Sequence, residues 1–145
     1  MSLQTDKFFF NALKANADIM NEVEGRIFNP ARSTTDEKED RIPYIIVKMD
    51  GLTNDQGTKD DVEGDTDTVQ IGIMVVADNR DALAPLTEAV RQQCITYLHQ
   101  VEEDPYSPLK TIAPMDWAFS AEGVQYDPDK PCVYQILNYQ CDTNR

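Results

Sequence analysis

Apolar positions first recur at helical spacing, in residues 6–23, where Phe9, Phe10, Leu13, Ala17, Met20 and Val23 fall on one stripe. Asp6 is placed to cap the start, and Asn16-Ala17-Asp18 is where the stretch can break into a longer and a shorter helix. Gly25 can end it in a left-handed conformation, with a short extended exit at residues 26–30. Alternation by two then takes over. Pro43 opens a strand through Tyr44, Ile45, Ile46, Val47, Lys48 and Met49, where its missing donor does little harm.

Thr66–Ala77 is the clearest strand: Val69, Ile71, Ile73 and Val75 share one face, with Gln70, Gly72, Met74 and Val76 on the other. Its far end is apolar on both faces, so that half is expected to be covered on both sides. Asp78-Asn79-Arg80-Asp81 supplies a cap and a first-turn carboxylate for a second long helix. Along it Leu83, Leu86, Val90, Cys94, Tyr97 and Val101 form a stripe, and Pro105 and Pro108 bound it.

The last third returns to extended structure. Residues 110–121 carry Ile112, Met115, Trp117 and Phe119, residues 126–131 read as a turn, and residues 132–141 alternate again. The predicted order is helix, strand, strand, helix, strand, strand. The fold class is α+β: one domain with a mainly antiparallel four-stranded sheet and both helices on one face.

Two segments do not belong to this frame. Residues 31–41 are polar throughout, and residues 51–65 hold three glycines and a run of carboxylates, as a mobile solvated loop or an extended hairpin tip. Long loops on a small domain are often functional. The acidic segment does not build a calcium loop. With Gly57 set at the conserved glycine position, Glu63 and Asn54 fall at ligand positions, but Leu52 occupies the first and cannot ligate.

The 145 residues fit one domain, and no apolar run approaches the ~20 residues of a membrane span. The N-terminus lacks the pattern of a secretory signal, so an intracellular protein is expected. Net charge is −13, from 26 acidic and 13 basic side chains. Such a surface repels phosphate backbones and anionic headgroups, so neither nucleic acid nor membrane is an expected partner. Solubility explains the charge more simply than mimicry of DNA.

Cys94, Cys132 and Cys141 form no CxxC pair. On one strand Cys132 and Cys141 would point to opposite faces, so buried reduced thiols are expected rather than a bridge. The single histidine, His99, lies off the apolar stripe without a second histidine to share a metal. Hydrolase, phosphate-loop and dinucleotide motifs are missing, and carboxylate pairs such as Asp60/Asp61 and Glu102/Glu103 stand in polar stretches. No catalytic residue, cofactor or metal is assigned. The expected role is structural, through protein binding, with an acidic inhibitor or a small enzyme of unrecognised carboxylate chemistry as alternatives.

A run of marks gives the chain a family likeness. An N-terminal helix leads through Asp18-Ile19-Met20 to Gly25-Arg26-Ile27-Phe28, and Arg41-Ile42-Pro43-Tyr44-Ile45-Ile46-Val47 follows a gap. A polar insertion, the strand Val69-Gln70-Ile71-Gly72-Ile73 and a helix start at Asp81-Ala82-Leu83 complete it. In order and spacing, over most of residues 6–100, the chain resembles siphophage tail-completion proteins, also called tail terminators or tail-to-head joining proteins.

The resemblance implies an α+β subunit of a ring, commonly hexameric, that caps the head-proximal end of the tail tube and meets the head connector. Its place is then the host cytoplasm during assembly and the virion tail of an intact phage or prophage. Partners are further copies of itself, tail-tube protein and connector. The two polar loops are the expected partner interface, through Asp36, Glu37 and Lys38 in one and Asp55, Lys59, Asp60, Asp61 and Glu63 in the other.

Overall fold

The computed structural model describes residues 4–29, 41–55, 66–100 and 118–144, with backbone alone for 54–55, 66–67, 98–100 and 141–144. The calls at residues 31–40 and 56–65, and those on Val101, Pro105, Pro108, Ile112, Met115 and Trp117, lie outside the described residues.

The chain opens with α1 (Thr5–Lys14) and α2 (Ala17–Glu22). The break falls at Asn16, whose Oδ1 accepts from the Ile19 amide at 3.0 Å and caps α2. Asp6 does not cap α1. It sits in the first turn, where its carboxylate favours the helix N-terminus and accepts from Asn29 Nδ2 at 2.8 Å. The apolar stripe is also turned from the expected one: Phe8, Phe9, Ala12 and Leu13 are buried, while Phe10 is half-buried. Glu24 and Gly25 end α2 with φ of 52° and 76°, the second needing no Cβ penalty.

The sheet departs from the expected four antiparallel strands. It has six, β1 (Ile27–Phe28), β2 (Tyr44–Asp55), β3 (Thr66–Ala77), β4 (Ala118–Ala121), β5 (Gln125–Asp127) and β6 (Cys132–Asn144). Their order is β1-β2-β3-β6-β4, with β5 pairing further along β6. The sheet is mixed because β1 runs parallel to β2, while every other pair is antiparallel. The chain reaches this extra edge strand by turning out of α2 at Arg26, whose Nε donates to the Pro43 carbonyl at 3.0 Å.

β2 is twice the expected length. Asp50 is inserted as a bulge between Met49, opposite Ile71, and Gly51, opposite Gln70. The extra residue moves the core-facing positions from Ile45, Val47 and Met49 to Leu52, so the ladder continues through residues that read as loop. At the other edge, β4 and β5 fold back on β6 across a tight turn at 128–131. Asp127 Oδ1 accepts from the Asp129 amide there at 3.0 Å, as the Asp-Pro content predicts.

Between β3 and β4 comes α3 (Arg80–Gln100), capped by Asn79 Oδ1 on the Ala82 amide at 2.8 Å. Leu83, Leu86, Val90 and Cys94 are buried as the stripe predicts, and Tyr97 packs half-buried against Phe8 with ring centroids 4.9 Å apart. The helices share one face of the sheet. There they close a core with Ile45, Val47, Val69, Ile71, Ile73, Val75 and Leu137.

Candidate interaction surface

The opposite sheet face carries no helix among the described residues, and alternation on β2, β3 and β6 decides what it presents. Phe28, Ile46, Met74 and Ile136 stand side by side across four strands, because Phe28 pairs with Ile46, Ile46 with Met74, and Met74 with Ile136. All four are half-buried. Beside them Tyr44, Val76 and Cys132 are buried in a small cluster that also takes in Ile42 and Tyr134. Among the described residues, the cover expected on this second side of β3 comes from neighbouring side chains of the same face.

One register step on, the face turns polar. Lys48 lies opposite Gly72, and Gly72 opposite Asn138. The bulged Asp50 leans over Gly72, where a Cβ would run into its carboxylate. Lys48 Nζ lies 3.6 Å from Asp50 Oδ1, Gln70 Nε2 donates to Gln140 Oε1 at 3.4 Å, and Asn138 Nδ2 donates to Glu122 Oε2 at 3.3 Å. Asp50, Gln70, Asn138 and Gln140, with Ala118 and Ser120, line an open crevice of about 260 Å3 that Phe119 and Tyr139 also reach. An apolar row joined to a rim of amides and charges is the composition of a protein-binding face: apolar centre, polar border.

Of the expected interface residues, Asp55 is described, and it is the last residue of β2, paired with Thr66, which fits the extended-hairpin alternative rather than the loop. Asp36, Glu37, Lys38, Lys59, Asp60, Asp61 and Glu63 lie outside the described residues. His99 falls in the last turn of α3. The open sheet face was not singled out from the sequence, although Met74 and Val76 carry its signal as apolar positions on the second face of a strand.

Two groups with shifted acidity, Cys94 and Tyr139, are buried in the core. Burial pushes the Cys94 thiol up to about 12, and a hydrogen bond with Tyr139 works the other way. Tyr139 is itself raised, first by burial and then by Cys94 beside it. At the surface, Arg26 donates to Glu24 at 2.8 Å and holds that carboxyl below its usual range.

Cys94 and Tyr139 are neutral when protonated, and the unfolded chain gives up their protons at lower pH. Their contribution to stability is complete below the unfolded thiol value of ~8.5 and is lost as pH rises through the folded values. The urea midpoint is expected to fall progressively above about pH 9, and Cys94→Ala to flatten part of that fall. An unchanged slope in Cys94→Ala contradicts the assignment.

Among the described residues no three His, Cys, Asp or Glu side chains come together as a metal site, and no helix is long and apolar enough to cross a membrane. Neither a family model nor a curated protein matches the sequence. The fold does have a counterpart among solved structures. It is similar to a chain from the virion of a native gene transfer agent (GTA) particle, at 9% identity and a TM-score of 0.58, over 97% of this chain and 94% of that one.

Proposed function

We infer that the protein is a structural part of a phage or prophage virion, and within it a tail-completion protein that forms a ring on the tail tube. The observation that carries this is the match of fold with a virion chain over 97% of this chain and 94% of that one. The order of sequence marks from Asp18 to Leu83 supports the finer assignment to the tail-completion family. The role is assembly rather than catalysis, without cofactor or metal.

A charge of −13 suits such a part. DNA that passes a ring of acidic subunits is not held by counterion-releasing contacts, and free subunits stay soluble before assembly. The same charge makes subunits repel one another, so ring formation is favoured by salt, which screens that repulsion over about 8 Å at physiological strength. The apolar row on the open sheet face and the β2–β3 hairpin are the surfaces we assign to subunit and tube contacts.

The test uses tail tubes of the phage or prophage that encodes the chain, polymerised with and without purified protein and viewed by negative-stain microscopy. Added protein is expected to give rings at one tube end and a narrow distribution of lengths. Tubes that grow equally long with and without it contradict the assignment.

A further inference from the structure

Away from the sheet, α2 and α3 enclose a groove of about 270 Å3 on the helical side of the molecule. Ile19 and Leu86 form its floor, at 1% and 4% exposure. One wall is α3, where Ala82, Pro85 and Ala89 succeed one another at steps of three and four, so three small side chains leave the space open. A leucine at any of these positions would fill it.

The groove is held at a fixed width. Asn16 Nδ2 donates to Gln93 Oε1 at 3.0 Å, and Gln93 Nε2 donates to the Ala12 carbonyl at 2.8 Å. These bonds tie the α1–α2 junction to α3, and Asn16 also caps α2 through the Ile19 amide. Collapse of α2 onto α3 would break part-buried hydrogen bonds, which is costly where water does not replace them.

Charge indicates the occupant. Among the described residues, the charged groups lining the groove, Asp18 and Glu22, are both carboxylates, one helical turn apart and exposed on α2. An apolar floor beside two carboxylates fits an apolar side chain flanked by Lys or Arg. A second copy of this chain, at −13, is repelled from an acidic rim.

The geometry points to a docking groove for a basic amphipathic helix of another protein, which seats an apolar side chain between α2 and α3 and sets Lys or Arg against Asp18 and Glu22. The volume is below the ~300–1,000 Å3 of small-molecule sites, and in helix-in-groove recognition an amphipathic helix lays the apolar side chains of one face into such grooves. The assignment holds whether or not the chain caps a tail tube, since it depends on the groove alone.

The experiment titrates isotopically labelled protein with an amphipathic Leu/Lys peptide of about four helical turns, and in parallel with its Leu/Glu counterpart. The Leu/Lys peptide is expected to shift the amide signals of Ile19, Glu22, Ala82 and Leu86 in a saturable manner. Asp18→Asn with Glu22→Gln, which removes only exposed charge, is expected to weaken binding about tenfold, with circular dichroism unchanged. Ala82→Leu, a solvent-facing change that occupies the groove without altering charge, is expected to weaken it as well.

Shifts spread over the whole acidic surface, or affinity equal in all variants, overturn the groove as the site. Equal binding of the Leu/Glu peptide overturns the basic partner. Concentration-dependent broadening of the same four signals without peptide assigns the groove to a second copy and overturns the proposed occupant.

Discussion

Phe9→Ala is expected to lower the free energy of unfolding by about 3–5 kcal/mol, a large share of the 5–15 kcal/mol typical of a domain. Phe9 is fully buried where α1 meets the sheet. Its ring lies 5.1 Å from that of Tyr139 on β6 and edge-on to Phe8 at 5.8 Å. Truncation therefore removes apolar burial and opens a cavity lined by rigid neighbours from helix and sheet, which cannot close in on it. The adjacent Phe10 gives the contrast. It is half-buried, with Lys14 Nζ 5.0 Å from its ring centre, and Phe10→Ala is expected to change stability by no more than about 1 kcal/mol. Urea unfolding of the two variants checks both figures, and equal losses would mean that α1 is rotated on the sheet.

That rotation shows how far periodicity reaches. Three successive phenylalanines satisfy a helical stripe in more than one phase, and only the partners across the core select Phe8 and Phe9 over Phe10. β3 left no such freedom: polar Gln70 fixes the face of Val69, Ile71, Ile73 and Val75. The long helix is equally plain, because Leu83, Leu86, Val90 and Cys94 follow a capping Asn79 and a first-turn Asp81 at helical spacing.

What escaped has physical causes. The second half of β2 was hidden by the bulge at Asp50, which breaks alternation and places Gly51, Asn54 and Asp55 in a strand that local preference reads as loop. β1, with two residues, and β5, with three, are too short for any period, and they exist because longer neighbours offer an edge. The open sheet face was obscure for a related reason. A face becomes a candidate surface only when strands distant in sequence line up, and residues 27–28, 44–55, 66–77 and 132–144 meet there through register alone.

Replacing residues 56–65 by Asn-Gly is expected to leave the fold intact and to abolish tail completion. Asp55 and Thr66 are the terminal Cα pair of the β2–β3 ladder, so a two-residue turn can join them without altering the register above. Shortening the connection from ten residues to two lowers the closure entropy by about 1 kcal/mol, so the melting temperature is expected to hold or rise slightly. Lys59, Asp60, Asp61 and Glu63 are removed with the segment, while the core from Ile45 to Tyr139 is untouched. If this segment contacts tube or connector, as proposed, the variant folds, remains soluble and fails to stop tube growth, giving tails of uncontrolled length in the encoding phage. A second variant, with Asp36, Glu37 and Lys38 changed to serine, tests the other polar segment in the same assay. Infectious particles with normal tails from the Asn-Gly variant would show that residues 56–65 take no part in the interface, and would shift the assignment to the open sheet face.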